Sequence, residues 1–260
     1  MTERPPGRRL ALLLEYDGSR YGGSQLQPDV PTIQGELERA LEQLTQEHHR
    51  VAFAGRTDAG VHAAGQVAAF TTVSTLETAV FKRGLNALLP EEIAVRRAVE
   101  APEGFDPRRH ASSRTYRYTI YNAPTRSPLR RAQAWHLVES LDMPAMQAAA
   151  AQLLGEHDFA AFSRREGVST VRCMHHATVM RSGPLLTVEL QATAFLRQQV
   201  RRTVGALVEI GAGRLTIEAF RNLLQQAEPN SAGPLAPAHG LCLVRVAYPG
   251  LDLEGPDTLS

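Results

Sequence analysis

Apolar residues in the first half of the chain form short runs and helical stripes. An apolar run at residues 10–16, followed by Asp17-Gly18, predicts a buried strand that ends in a turn. From Thr32 on, the apolar residues recur on one stripe, which predicts a helix over residues 32–46 with Thr32 as its N-cap. The next predicted elements are a short strand, a longer extended segment, a helix and a strand, at residues 51–54, 61–72, 80–88 and 93–99.

The second half shows a similar succession of predicted strands and helices. Residues 114–121 alternate between apolar and polar side chains, which predicts a strand. An alanine-rich stretch at residues 143–154, with Pro144 near its start and Gly155 after its end, predicts a helix. The other predicted elements are a strand pair, two helices and a final strand, at residues 171–180, 185–192, 195–210, 216–226 and 241–246.

This order of elements predicts an α+β fold with a mainly antiparallel sheet. Strand–helix–strand units occur in both halves, alongside connections short enough for hairpins, and the two halves look similar in pattern without a close sequence repeat. We divide the chain into an N-terminal half at residues 1–107, a C-terminal half at residues 108–249 and a flexible tail at residues 250–260.

The composition is that of an ordinary globular protein, with 43% hydrophobic and 21% charged residues. No apolar stretch is long enough to span a membrane. The polar N-terminus and the short apolar run after it do not match a signal peptide, so we expect a cytoplasmic protein.

Positive charge is carried almost entirely by arginine. The net charge is only +1, but 27 of the 28 basic residues are arginines, and Lys82 is the one lysine. Arginine binds phosphate in a bidentate manner and stacks on bases. The arginines cluster at residues 108–117, 126–131, 164–172 and 197–202, which predicts a basic face for a polyanion.

Metal chemistry has little support in the sequence. Cys173 and Cys242 lie far apart, which is typical of reduced thiols. Cys173, His175 and His176 could contribute ligands, but no second cluster completes a four-ligand zinc site, so we expect no metal.

The loop Gly55-Arg56-Thr57-Asp58-Ala59-Gly60 carries the strongest candidate for catalysis. It lies between two predicted strands, and its glycines allow a tight backbone path. Asp58 has small neighbours, so a large ligand can approach it. From the spacing alone, however, an Asp in such a loop more often caps a turn than catalyses a reaction.

The stretch at residues 55–63, GRTDAGVHA, resembles the signature of the tRNA pseudouridine synthase A family. The resemblance continues in order over roughly residues 8–249. Its further blocks are Tyr16-Asp17-Gly18 with Gly23 and Gln25, Thr32 with residues 35–38, residues 105–108, residues 114–118, and His157-Asp158-Phe159 with Phe162. The last blocks are Phe195-Leu196 with Val200-Arg201 and Val204-Gly205, and Pro237-Ala238 with Gly240-Leu241 and Leu243-Val244. The chain departs from the family pattern at Ser24, where Trp is common, at residues 197–199, where His-His-Met is common, and at Arg202, where Asn is common.

The resemblance implies the pseudouridine synthase fold, with two similar halves and a central active-site cleft. It implies conversion of uridine to pseudouridine at positions 38, 39 and 40 in the anticodon stem-loop of tRNA. It also implies a homodimer that holds tRNA, and a reaction without metal or nucleotide cofactor.

The same resemblance assigns roles to five residues. Asp58 is the catalytic carboxylate and Arg201 its ion-pair partner, while Arg56 helps to hold the flipped nucleotide. Tyr116 packs on the target uracil and Leu243 on its other face. Without the resemblance, Tyr116 is equally a core residue of a strand, Arg201 a surface arginine on a helix, and Leu243 a core leucine.

Two other functions remain open on the sequence. One is a hydrolase that uses Asp58 with His62 or with the cluster around Cys173. His62, four residues from Asp58 across a loop, is more readily interpreted as structural. The other is a non-catalytic RNA-binding protein, an interpretation that the presence of Asp58 disfavours.

Overall fold

The computed structural model describes residues 7–163, 169–226 and 228–253. The chain divides into two compact units: unit 1 comprises Met1–Ser112 and Leu243–Ser260, and unit 2 comprises Ser113–Cys242. The sequence predicted a boundary between residues 107 and 108, and it assigned residues 243–249 to the C-terminal half. In the structure these last residues return to unit 1. Arg164, Arg165 and residues 254–260 of the predicted tail lie outside the described residues.

Unit 1 is built on a sheet with two helices. Its elements are β1 (Arg8–Tyr16), α1 (Ile33–Thr45), β2 (Ala52–Phe53), β3 (His62–Thr72), α2 (Thr78–Leu88) and β4 (Ile93–Glu100). β1 lies antiparallel between β3 and β4, and β2 pairs with β3. The predicted cap of α1 is confirmed, because the Thr32 side chain accepts a hydrogen bond from Gly35 N at 3.2 Å.

Unit 2 repeats the combination of strands and helices. Its elements are β5 (Ser113–Asn122), β6 (Trp135–Leu137), α3 (Met143–Ala151), β7 (Gly155–Asp158), β8 (Val171–Ser182), β9 (Leu185–Ala192), α4 (Gln199–Gly211) and α5 (Ile217–Gln226). β9 pairs antiparallel with β5 and β8, β7 pairs antiparallel with β8, and β6 runs parallel to β5. The last strand, β10 (Leu241–Ala247), belongs to unit 1 from Leu243 onward and lies next to β3.

The prediction of an α+β fold with a mainly antiparallel sheet is confirmed, since β6 alone among the described pairings is parallel. The buried apolar side chains explain the strands: Leu10, Leu12, Leu14 and Phe70 have no exposed surface in unit 1. Tyr118 and Ile120 on β5 likewise have no exposed surface. Burial of such side chains stabilises each unit by about 25 cal/mol per Å² of apolar surface removed from water.

Some predicted elements had the wrong extent. The long helix predicted from residue 195 begins at Gln199, because Gln198 adopts a left-handed conformation (φ 63°) that cannot continue a helix backward. The helix predicted to residue 154 ends at Ala151. The strands β6 and β7 were not predicted, since each is short and contains polar residues, so that neither forms an apolar run like the one around β2.

Candidate active site

The candidate catalytic loop, residues 55–60, connects β2 to β3 in unit 1. Thr57 is buried, Asp58 is half-buried, and Arg56 is exposed. The loop closes on itself because Val61 N donates to the Asp58 carbonyl at 3.1 Å, and Gly60 takes the left-handed conformation (φ 77°) that this turn requires. The carboxylate of Asp58 therefore stands on a short, closed turn at the start of a buried strand.

Ser24 fixes the backbone of the residue before Asp58. Its N–H donates to the Thr57 carbonyl at 3.0 Å, and its Oγ accepts from Thr57 N at 2.9 Å. Ser24 has no exposed surface, so neither bond competes with water. Gly23 makes the approach possible: its φ is +114°, and a Cβ there would lie 2.8 Å from the Thr57 carbonyl oxygen. The small, buried Ser24 therefore acts as an anchor for the candidate catalytic loop.

A second buried group holds the loop from the sheet side. Gln66 Nε2 donates to the Gly55 carbonyl at 2.8 Å and to the Tyr16 hydroxyl at 3.3 Å. The Tyr16 hydroxyl lies 2.8 Å from Thr57 Oγ1. Either of these two hydroxyl groups can be the donor in this hydrogen bond. Tyr16 and Gln66 are both buried, so this chain of bonds links β1, β3 and the loop.

His62 lies at the start of β3 and contacts the turn after β1. Its Nδ1 is 3.2 Å from Gly18 N and 3.1 Å from Asp17 Oδ1. An unprotonated Nδ1 accepts the Gly18 N–H, whereas a protonated one donates to Asp17, so the two contacts belong to different protonation states of this nitrogen. Burial by itself would raise the pKa of Asp17, but hydrogen bonds from Ser19 and the charge of His62 lower that pKa below its usual value. These contacts support a structural role for His62.

Unit 2 carries two of the predicted site residues, Tyr116 on β5 and Arg201 on α4. Tyr116 and Tyr118 alternate on β5 and so share one face of the strand, against which α4 packs. The Tyr116 ring meets Phe195 edge-on, with centroids 5.2 Å apart. Arg201 Nε donates to the Ala236 carbonyl at 2.7 Å. Burial raises the pKa of the Tyr118 hydroxyl, and the positive charge of Arg201 acts in the opposite direction, so Arg201 lies close enough to influence Tyr118.

Leu243 lies in unit 1, fully buried on β10. The structure therefore places Asp58, Arg56 and Leu243 in unit 1, and Tyr116 and Arg201 in unit 2. The sequence prediction had put Leu243 in the C-terminal half. The reason for the difference is the neighbour of its strand, since β10 lies next to β3 of unit 1.

The residues that hold the candidate catalytic loop were not predicted from the sequence. Ser24 stood out as a departure from the family pattern, and Tyr16 as the end of an apolar run, but neither suggested an anchor. Gln66 carried a usable signal: it is a polar residue with no exposed surface within β3, where most other residues are buried. A buried polar side chain must find a partner, so its position points to a hydrogen-bonding role.

The hydrolase and metal hypotheses gain no support from the geometry. The half-buried Cys173 places its Sγ 3.8 Å from Nδ1 of the exposed His175 on β8. Over residues 7–163, 169–226 and 228–253, no group of three or more His, Cys, Asp or Glu side chains is arranged to hold a metal ion. In the same part of the chain, none of the helices has the length and apolar character needed to cross a membrane.

Known proteins resemble this chain over most of its length. A family model described as tRNA pseudouridine synthase matches residues 13–108 and 149–249. The tRNA pseudouridine synthase A of Geotalea uraniireducens is 46% identical over 243 residues, which cover 93% of this chain and 100% of the relative. That of Geobacter sulfurreducens is 47% identical over 244 residues, with the same coverage, and that of Myxococcus xanthus is 46% identical over 245 residues, covering 92% of each chain. The chain belongs to the tRNA pseudouridine synthase family.

Proposed function

We propose that this protein isomerises uridine to pseudouridine in tRNA, at positions 38, 39 and 40 of the anticodon stem-loop. The observation that carries the proposal is the loop that bears Asp58, a half-buried carboxylate on a backbone held by buried hydrogen bonds. Membership of the tRNA pseudouridine synthase family supports the reaction and the substrate.

The reaction is an isomerisation and needs no external reactant. The bond between C1′ of the ribose and N1 of the uracil breaks, the base turns, and a new bond forms between C1′ and C5. C5 loses a proton and N1 gains one, so atoms and electrons balance without an oxidant or reductant. What the protein must supply is a group that assists the cleavage of the glycosidic bond, and an environment that holds the detached base.

Asp58 is the group we assign to bond cleavage. An aspartate is ordinarily ionised at neutral pH, so it can act as a nucleophile at C1′ or at C6, or as a base on the sugar. All three routes require a carboxylate held in a fixed position against the nucleotide. The anchors at Ser24, Tyr16 and Gln66 support this requirement, because they restrain the backbone on which Asp58 stands.

The other four residues bind the substrate. The target base is stacked in a stem or loop and must be flipped out, at a cost of a few kcal/mol. Arg56 is exposed two residues before Asp58, where its guanidinium can hold the flipped nucleotide. Tyr116 and Leu243 pack on the uracil, and Arg201 supplies a second guanidinium. We further propose that the enzyme is a homodimer that acts in the cytoplasm without a metal or nucleotide cofactor.

A tritium-release assay tests the proposal. An unmodified tRNA transcript made with [5-³H]uridine releases tritium to water only when the bond at C5 is exchanged. The purified protein should release up to one tritium per modified uridine, and chemical labelling of pseudouridine should map the product to positions 38–40. Release without product at those positions would contradict the site, and no release above a protein-free control would contradict the reaction.

A further inference from the structure

A projecting loop in unit 2 carries unneutralised positive charge. The arginine loop, residues 123–131, follows β5 and contains Arg126, Arg130 and Arg131, all exposed. Within the part of the chain that the structure describes, none of the three forms an ion pair, and Arg131 donates only to the nearby Pro128 carbonyl, at 3.1 Å. No acidic residue occurs between Asn122 and Val138.

Two other surface arginines of unit 2 are neutralised by acidic partners. Arg117 bonds to Glu189 at 2.8 Å, and Arg214 bonds to both Glu139 and Glu209. Glu139 is the first acidic residue after the arginine loop, yet its two oxygens already accept from Arg214, at 2.6 and 3.1 Å. These hydrogen bonds lower the pKa of Glu139, so it stays ionised and committed to Arg214. The charge on the loop therefore has no local counterpart among the described residues.

Leu129 lies among these arginines and is 97% exposed. A single exposed leucine is common on protein surfaces and means little by itself. Here it occupies a short 3-10 turn, Pro128–Arg130, with Arg130 and Arg131 directly after it. An apolar side chain beside arginines is the combination that proteins insert between bases while they grip the adjacent phosphates.

The loop is held firmly at its base, as a contact element requires. Ala123 N donates to the Leu137 carbonyl at 3.1 Å, and the Asn122 side chain donates to the carbonyls of Leu137 and Glu139 at 3.0 and 2.8 Å. Arg181, on β8, donates to Asn122 Oδ1 at 2.8 Å and brings a further positive charge to the base. Pro124 and Pro128 restrict the backbone, which reduces the entropy lost when a ligand binds.

We propose that the arginine loop is a second RNA-contacting element, in which Leu129 wedges against bases while Arg126, Arg130 and Arg131 bind phosphates. The proposal rests on the proposed function, which supplies tRNA as the polyanion. RNA fits better than a second copy of this chain, because a contact between two copies of this loop would bring two sets of positive charges together. The loop carries no aspartate or glutamate to offset that repulsion.

Charge-matched variants test the arginines. The double variant Arg126→Gln with Arg130→Gln removes two loop charges, and the double variant Arg83→Gln with Arg221→Gln removes two exposed charges on α2 and α5. Affinity for an unmodified tRNA transcript is measured over a series of KCl concentrations. The loop variant should bind roughly 10-fold more weakly, and the slope of log affinity against log salt should fall by up to about 0.9 for each phosphate that is no longer neutralised. The control should bind and release tritium like the wild type.

Leu129→Ala separates the apolar contact from the charges. It should weaken tRNA binding about fivefold, because the variant has less apolar surface to bury against the bases, and leave the salt slope unchanged. Leu154→Ala, at another exposed leucine (47% exposed), should have no effect. Thermal melting of each variant checks that the fold is retained.

Each outcome decides the proposal. Equal effects of the loop and control doubles would overturn it, as would loop variants that alter sedimentation without altering tRNA affinity, since the loop would then be a protein–protein contact. If the wild type binds tRNA through the loop but releases no tritium, the proposed function fails and this inference stands.

Discussion

The candidate catalytic loop and the arginine loop are both short connections that follow a strand, but they are stabilised in opposite ways. Around the first, Ser24, Tyr16 and Gln66 are buried and satisfy the loop's polar groups within the protein. The arginine loop is tied only at its base, and its three arginines are exposed to water without an ion pair among the described residues. A loop that positions a reacting group must be rigid, whereas one that binds a polyanion must leave its charges available.

Because of this difference, substitutions in the two loops should affect different measured quantities. Changes at the catalytic loop should lower the rate of reaction with little loss of tRNA affinity, and changes at the arginine loop should lower affinity.

The largest effect is expected from removing the carboxylate. Asp58→Ala and the isosteric Asp58→Asn should each reduce tritium release by at least about 10³-fold, because the reaction loses its nucleophile or base. tRNA affinity, measured by filter binding, should stay close to that of the wild type. An Asn variant that turns over at the wild-type rate would show that Asp58 is a turn residue and not a catalytic one.

Gly23→Ala should distort the catalytic loop. The new Cβ would lie 2.8 Å from the Thr57 carbonyl oxygen at a backbone φ of +114°. We expect a loss of at least about 2 kcal/mol of unfolding free energy in urea, together with reduced turnover. Gly104→Ala is the matched control, since Gly104 has a φ of +73° and a Cβ at that position would meet no atom within 4 Å. It should cost only about 1 kcal/mol and leave turnover unchanged. Equal losses in the two variants would rule out the close approach to Thr57 as the cause.

Tyr16→Phe should loosen the loop without removing any of its residues. The variant loses the bonds from the Tyr16 hydroxyl to Thr57 and Gln66. We expect kcat to fall roughly 10-fold with KM little changed. Tyr248→Phe, which loses a bond of 2.7 Å to the Pro107 carbonyl, should be destabilised to a similar degree without the change in kcat. A matching fall in kcat in both variants would mean that general stability, and not loop position, is being measured.

The smallest effect concerns pH. The folded-state pKa of Asp17 lies below its usual value of 3.8, so its contribution to stability is present above that value and is lost as pH falls through the lower folded pKa. Asp17→Asn should therefore destabilise the protein at pH 7, by under about 1 kcal/mol because the side chain is partly exposed. The difference in unfolding free energy between the variant and the wild type should be smaller at about pH 3 than at pH 7. Urea unfolding at both pH values checks this, and a gap that widens in acid would show the opposite sign.

Much of the fold follows from local patterns. The apolar runs and stripes predicted β1, β3, β5, β9 and α1, because apolar residues recur with the period of the strand or helix that buries them. The short strands β6 and β7 were missed, whereas the two-residue β2 was predicted because it lies in an apolar run at residues 51–54. The start of α4 was predicted wrongly, because the left-handed conformation of Gln198 is not marked by a glycine or proline in the sequence and depends on its surroundings.

The candidate site also has features that follow from the sequence and features that depend on the tertiary structure. The sequence by itself determined Asp58 and its loop, through a motif of nine residues and the glycines that bound the loop. Only the tertiary structure decided that Ser24, Tyr16 and Gln66 hold this loop, and that β10 carries Leu243 back into unit 1. The physical reason is that hydrogen bonds and strand neighbours join residues far apart in the chain, and such pairings leave no periodic trace along it.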